Sequence, residues 1–186
     1  MRVLYNKNVP ADGITIENSR FPTYNRNESG NIAQSAIGQS GVLASPMEMA
    51  LITSAIANDG VSMKPYLVGE VTDSKGKIIS TVEPKSNGTL MSESTAETMK
   101  KFMRLVVQEG TGTSAALDNI VVSGKTGTAE NQNSAGVSQP PHSWFIGFAP
   151  YDNPQIAVAV IVENGGYGSG KAANIAAQIM KTWINK

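Results

Sequence analysis

The chain has 186 residues, of which 40% are hydrophobic and 16% are charged, and this composition suits one globular domain with a sizeable core. The apolar content excludes disorder, and the lack of a regular glycine period excludes a collagen-like structure. Because 15 basic residues balance 15 acidic residues, the chain as a whole has no electrostatic pull toward nucleic acid or an anionic membrane.

The sequence contains no cysteine and a single histidine, His142. Disulfides, thiol nucleophiles, zinc-thiolate sites and multi-histidine metal sites are therefore excluded. No run of about 18 apolar residues is present, so no membrane-spanning helix is expected. Residues 1–13 lack the apolar stretch of a signal peptide, and any targeting or anchoring segment is expected upstream of Met1.

The domain organisation predicted from turn signals is a single partial domain spanning 1–186. Residues 1–40 are expected to form an irregular polar lead-in, which is unusually long for the start of a complete domain. Residues 41–186 are expected to form an α/β part. The chain is therefore interpreted as part of a larger domain.

Hydrophobic periodicity predicts the element order α-β-β-α-β-β-β-α. The predicted elements are a helix capped by Ser45 that starts at Pro46 and stops at 58–60, a hairpin of strands 66–72 and 77–82, a helix from Ser92 or Ser94 to Glu109, strands within 121–130, 143–149 and 155–163, and a helix over 172–185. The short connection between the last two strands favours an antiparallel pair covered by helices.

Apolar residues at helical spacing predict which helix faces are buried. The expected stripes are Met99, Phe102, Met103 and Val106 on one helix, and Ile175, Ile179, Met180 and Trp183 on the last. Alternation within 156–162 predicts a strand buried on both faces. The aromatic residues Trp144, Phe145 and Phe148 are expected in the core or in a cleft wall, and the methionines are expected to fill the core.

A lysine lies among small residues after the Val121–Val122 pair: Gly124, Lys125, Thr126, Gly127, Thr128. Because glycine weakens a strand, the two glycines indicate a close approach by another backbone or by a ligand. A positive charge, two hydroxyls and an open backbone suit a peptide-like carboxylate ligand laid along a strand edge. Composition alone, however, favours a solvated lysine beside a turn.

The Lys125–Thr126–Gly127 triplet is one of three short motifs that penicillin-binding proteins share with class A β-lactamases. Neighbouring segments, in the same order as in the family, resemble the penicillin-binding-protein transpeptidase domain: 35–39, 45–50, 57–60, 106–113, 124–130 and 142–150. The ordered set is far more specific than the triplet alone. The resemblance implies the C-terminal part of the β-lactamase/transpeptidase-like fold, an α/β structure of the α+β type with an antiparallel sheet flanked by helices.

The resemblance also implies a chemistry, namely acyl transfer from the D-Ala-D-Ala end of a peptidoglycan stem peptide through a serine ester, with β-lactams as covalent inhibitors. Lys125 would set the charge near the proton-transfer groups, and Thr126, Gly127 and Thr128 would bind the substrate carboxylate. The Thr128 N–H would be one of two oxyanion donors, and such a donor typically lowers a barrier by ~3–4 kcal/mol. No metal or organic cofactor is implied. The expected location is the extracytoplasmic face of the bacterial plasma membrane.

Two motifs of the family lack a match in the expected place. The one serine-x-x-lysine spacing, Ser74 to Lys77, falls in the predicted hairpin turn, and the one serine-x-asparagine, Ser29 to Asn31, is expected to be a turn. Both true motifs are therefore expected in the N-terminal remainder of the domain, and this chain is expected to contain no nucleophile.

Several other patterns in the sequence are typical of structural features. Residues 165–172 nearly match a phosphate-binding loop, but Ala172 replaces the hydroxyl that holds Mg²⁺, so a flexible glycine turn is favoured. Residues 110–115 mimic a dinucleotide fingerprint but follow a helix, which favours a C-cap and loop. His142 is expected to be a structural hydrogen-bonding residue, and Glu130 a strand-end or loop carboxylate at the lining of the cleft.

Two alternatives to a transpeptidase remain open at this point. The parent could be a penicillin-sensing receptor on the same fold, or the chain could be a non-catalytic interaction domain. A half-domain would also expose apolar surface and is expected to self-associate.

We predict that this chain alone forms no penicilloyl adduct, since no serine occupies the required helix-start context. The measurement is mass spectrometry after incubation with a fluorescent penicillin. A stoichiometric adduct on any serine, Ser74 being the first to check, would show that the nucleophile had been misplaced.

Overall fold

A computed structural model describes residues 17–186. Its elements in chain order are α1 (Ser29–Ser35), α2 (Pro46–Ala57), β1 (Val61–Met63), β2 (Glu70–Thr72), β3 (Ile78–Thr81), β4 (Ser86–Thr89), α3 (Glu93–Gln108), a short 3₁₀ turn (Thr113–Ala115), β5 (Ser123–Gln132), β6 (Ser138–Ala149), β7 (Ile156–Val162) and α4 (Lys171–Ile184). The predicted order of the main elements is confirmed. No helix in this part of the chain combines the length and apolarity needed to cross a membrane.

The central sheet is antiparallel, with β6 between β5 and β7. Its register places Lys125 opposite Ile146 and Thr128 opposite Ser143, and the ladder is interrupted at Glu130. Helix α4 packs on β6 and β7, α2 also contacts these strands, and α3 lies beside β5. The predicted hairpin is present as β2 and β3 with shorter strands, whereas the small β1–β4 sheet was not predicted because its strands are short and carry few apolar residues.

Helix α4 turns a face of small residues toward the sheet. Its buried residues are Ala172, Ala173, Ala176, Ala177 and Met180. The predicted stripe was therefore wrong apart from Met180, since Ile175, Ile179 and Trp183 are 41%, 44% and 50% exposed. The physical reason is close packing, because Phe145 and Met180 fill most of the core cluster beneath the helix and the four alanines fit beside them.

The predicted stripe of α3 is likewise only partly buried. Met103 is buried, but Met99 and Phe102 are exposed. Lys100 lies buried on this helix, where it forms an ion pair with Asp59 at the end of α2. Burial of β7 on both faces was also wrong, since Val158 is its one buried residue and the others are half-buried. Phe145 and Phe148 are fully buried as expected.

The segment before α2 contains a helix that was not predicted. Residues 29–35 were expected to be irregular, with a turn at Ser29 to Asn31, but they form α1. Helix α1 ends in a Schellman motif, because Gly38 adopts φ +78° and the N–H of Gln39 bonds to the carbonyl of Gln34. The expected irregular structure of residues 1–16 lies outside the described residues.

The start of α1 is held by Glu28. Hydrogen bonds from the backbone N–H of Asn25 and the side chain of Asn31 keep the pKa of the Glu28 carboxyl below its ordinary value. The carboxylate that anchors this turn therefore stays ionised to lower pH than an isolated glutamate.

We predict opposite sensitivities on the two faces of α4. Ala176→Leu should lower the free energy of unfolding by about 1–3 kcal/mol, because the site has no room for extra methylenes. Ile179→Ala should change it by roughly 0.5 kcal/mol or less, because the side chain is half exposed. Denaturant unfolding of this chain measures both values. A larger destabilisation by Ile179→Ala than by Ala176→Leu would show that the isoleucine stripe is the buried face.

Candidate functional site

The motif lysine lies on β5, whose outer edge has no partner strand among the described residues. Side chains alternate along the strand, so Lys125 and Gly127 face one side of the sheet and Thr126 and Thr128 the other. The Thr128 carbonyl points away from β6, because it accepts a hydrogen bond from the side chain of Gln39. Since the N–H and C=O of one strand residue point the same way, the Thr128 N–H is also directed toward the free edge.

A cleft of about 310 Å³ runs along this edge. Its floor is formed by residues 125–129 with Trp144 and Ile146, and its opposite wall by the segment around α1 and α2. The wall residues are Ile37, Gly38, Gln39, Val42, Ala44 and Met49. Trp144 thus lines the cleft, as expected for a wall aromatic. A mostly apolar groove with a few convergent polar groups is the ordinary form of a ligand site.

Glycine is required at the two positions near Lys125 for different structural reasons. A side chain at Gly124 would overlap the ring of Phe145, so this glycine accommodates a core aromatic and not a ligand. A Cβ at Gly127 would come 3.1 Å from the Cβ of Trp144. Gly168 packs directly against the peptide group of Gly127, since a Cβ on Gly168 would come 2.1 Å from the Gly127 carbonyl oxygen. A close approach of another backbone is therefore found at both positions, since a Cβ at Gly124 would also come 2.8 Å from the Ile146 carbonyl oxygen.

Two loops hold the threonine hydroxyls from the other side of the sheet. The Oγ1 atoms of Thr111 and Thr126 are 2.7 Å apart, and Thr111 belongs to the glycine loop that ends α3. The N–H of Gly168 donates to Thr128 Oγ1 at 3.2 Å. Sequence reasoning assigned no role to Thr111, Gly168 or Gln39, because each contact joins segments far apart in the chain.

The ammonium group of Lys125 turns toward the strand edge. Its Nζ donates to the Thr126 carbonyl at 2.7 Å and lies 3.5 Å from Thr126 Oγ1. It forms no ion pair with any residue in 17–186. An ammonium has three donors, so this lysine retains the capacity to bind an anionic ligand or a proton-transfer group.

Most other sequence candidates have structural roles. His142 Nδ1 accepts the N–H of Asn164 at 3.0 Å, as expected for a structural histidine. The Ser74 to Lys77 segment is a turn in which Asp73 Oδ1 accepts two backbone N–H groups. Glu130 is exposed at the interruption of the β5 ladder and does not line the cleft. Within the described residues, no three His, Asp or Glu side chains are grouped so that they could hold a metal ion.

The loop of residues 165–172, which resembles a phosphate-binding loop, has backbone N–H groups that are hydrogen-bonded within the protein. The N–H groups of Gly166, Gly168 and Ala172 donate to Pro141, Thr128 and Ser143 respectively. These donors are therefore not free to cradle a phosphate.

The lysine motif thus lies on an edge strand that faces a cleft and is backed by a helix-covered sheet. The model of the penicillin binding protein transpeptidase domain matches residues 11–181. The chain belongs to this family.

Curated relatives support the same assignment. The chain is 36% identical over 139 residues to the peptidoglycan D,D-transpeptidase PbpA of Mycolicibacterium smegmatis, covering 75% of this chain and 28% of that protein. It is 34% identical over 176 residues to the peptidoglycan D,D-transpeptidase MrdA of Haemophilus influenzae, covering 84% and 26%. The chain therefore spans about a quarter of the length of these relatives.

Solved structures agree in fold. The ceftriaxone acyl-enzyme of penicillin-binding protein A from M. tuberculosis superposes with a TM-score of 0.85 at 30% identity, covering 95% of this chain and 40% of that one. The D,D-transpeptidase domain of a peptidoglycan glycosyltransferase from Eggerthella lenta gives 0.79 at 33% identity, covering 97% and 45%. The fold is that of the penicillin-binding-protein transpeptidase domains, as expected.

Proposed function

We propose that this chain is the C-terminal part of a serine D,D-transpeptidase that crosslinks peptidoglycan and is a target of β-lactams. The observation that carries the proposal is the outer edge of β5, where the Lys125 ammonium and the outward N–H of Thr128 lie at the same cleft. Named D,D-transpeptidases among the relatives support it. The substrate is a stem peptide ending in D-Ala-D-Ala.

Each motif residue has a distinct role in this proposal. The extended peptide lies along β5, and its terminal carboxylate binds between the hydroxyls of Thr126 and Thr128, with Gly127 leaving room beside the backbone. The Thr128 N–H stabilises the tetrahedral oxyanion, an effect typically worth ~3–4 kcal/mol. The positive charge of Lys125 favours deprotonated groups nearby and so assists proton transfer.

The nucleophile and its base lie in the N-terminal remainder of the domain under this proposal. That remainder docks on the outer edge of β7 and on the exposed α4 stripe of Ile175, Ile179 and Trp183. A groove of about 350 Å³ lined by Ile156 and by Ile179 and Trp183 of α4 supports this placement. The protein acts on the extracytoplasmic face of the plasma membrane, held by a segment outside this chain.

The role of Lys125 predicts that its replacement in the full-length protein slows acylation without a comparable loss of stability. Lys125→Ala should lower the second-order rate constant for acylation by a β-lactam by ~10²-fold or more, because transition-state charge stabilisation is lost. The stability change should stay within about 0.5 kcal/mol, because the residue is exposed on a strand edge. Lys125→Arg should rescue the rate only partly, since guanidinium restores the charge without the compact geometry.

Lys171→Ala provides the control, since Lys171 is an exposed lysine at the start of α4. Acylation rates and melting temperatures are measured together. Normal acylation of the Lys125→Ala variant, or a loss that merely follows unfolding, would return Lys125 to a solvated strand-edge lysine.

The docking proposal predicts that this chain alone self-associates through the α4 stripe. Sedimentation velocity should show a concentration-dependent rise in sedimentation coefficient, and Ile179→Lys should reduce it by burying a charge in the contact. Ser80→Lys adds the same charge on exposed strand β3 and should have no effect. A monomer at high concentration would contradict the half-domain proposal.

A further inference from the structure

We infer that the glycine-rich loop between β7 and α4 belongs to the substrate-binding machinery, with Gly168 as the residue that positions Thr128. This inference rests on the proposed function and adds to it a residue outside the lysine motif. Two independent contacts of Gly168 carry it, one to the side chain of Thr128 and one to the peptide that precedes it.

The first contact fixes the direction of a hydroxyl. A threonine hydroxyl has one proton to donate and two sites that accept. Because Thr128 Oγ1 accepts the N–H of Gly168, its own proton is left for a different acceptor. A carboxylate accepts hydrogen bonds and donates none, so it suits this proton. Gly168 therefore prepares Thr128 as a donor to an anionic ligand.

The second contact concerns the oxyanion donor. Gly168 is buried, and a Cβ on it would overlap the carbonyl oxygen of Gly127 and lie 2.9 Å from the carbonyl carbon. This carbonyl belongs to the peptide group whose N–H is that of Thr128. Any side chain at 168 would consequently push the proposed oxyanion donor out of place. A displacement of about 1 Å in such a group can cost on the order of 10²-fold in rate.

The loop is anchored by hydrogen bonds of the two residues that precede Gly168, and Ala172 beyond it donates to Ser143 Oγ. The N–H of Gly166 donates to the Pro141 carbonyl at 3.0 Å, and Ser143 Oγ donates to the Tyr167 carbonyl at 3.1 Å. Both partners lie on β6, the strand paired with β5. The position of Gly168 is thereby set by the same sheet that carries Thr128.

The test uses the full-length protein with Gly168→Ala, Thr128→Val and the double variant. Gly168→Ala should lower the second-order acylation rate constant about tenfold or more. Its effect should shrink when Thr128 is already valine, because part of the effect passes through the lost hydroxyl. Gly69→Ala adds the same methyl group at an exposed site before β2, where the nearest atom would be 3.8 Å away, and should acylate normally.

Hydrogen exchange of the 165–170 segment gives a readout that does not depend on acylation. Thr128→Val removes the acceptor of the Gly168 amide and should speed its exchange, while the rest of the sheet keeps its protection. Gly168→Ala acylating as fast as Gly69→Ala, equal losses in both Thr128 backgrounds, or unchanged exchange would each overturn the positioning role. If the unmodified protein is not acylated, the proposed function fails, and the exchange result still decides whether Gly168 holds Thr128.

Discussion

Phe145 is fully buried where β5, β6 and α4 meet, and its ring occupies the space that a side chain at Gly124 or Gly147 would need. Removing a buried phenylalanine typically costs about 3–5 kcal/mol, so this one ring is a large fraction of the stability of a domain. Its size also helps to explain why four alanines, with Met180, form the buried face of α4. The strand that carries Lys125 is therefore held in place by a core contact one residue before the lysine.

From that fixed strand, the cleft is assembled by three segments that each reach β5 through hydrogen bonds. Gln39 binds the Thr128 carbonyl, Thr111 binds the Thr126 hydroxyl, and Gly168 binds the Thr128 hydroxyl. The contacts lie along the strand edge, where Lys125, Thr126 and Thr128 all line the cleft. In the proposed function, binding of the carboxylate and stabilisation of the oxyanion depend on these short polar contacts, as preorganised sites require.

Local signals in the sequence predicted much of this arrangement, and long-range packing decided the rest. Ser45 before Pro46 located the start of α2, and the lysine motif located the strand of the site, because both depend on neighbours in the chain. The buried face of α4 was mispredicted because hydrophobicity favours Ile179, whereas the shape of Phe145 selects Ala176. The role of Gly168 could not be predicted from local sequence, because its partner Thr128 lies 40 residues away in the chain.

The two outer edges of the sheet differ in a way that supports the division of the domain. The β5 edge carries a lysine, has an interrupted ladder at Glu130 and is capped at Thr128 by Gln39, and charge, irregularity and capping all oppose the addition of another strand. Strand β7, from Ile156 to Val162, has no charged residue or proline. An unprotected apolar edge favours strand pairing. These features oppose permanent strand pairing at the β5 edge and leave it to the transient substrate of the proposed function, whereas the β7 edge is suited to the remainder of the protein that would bring the nucleophile.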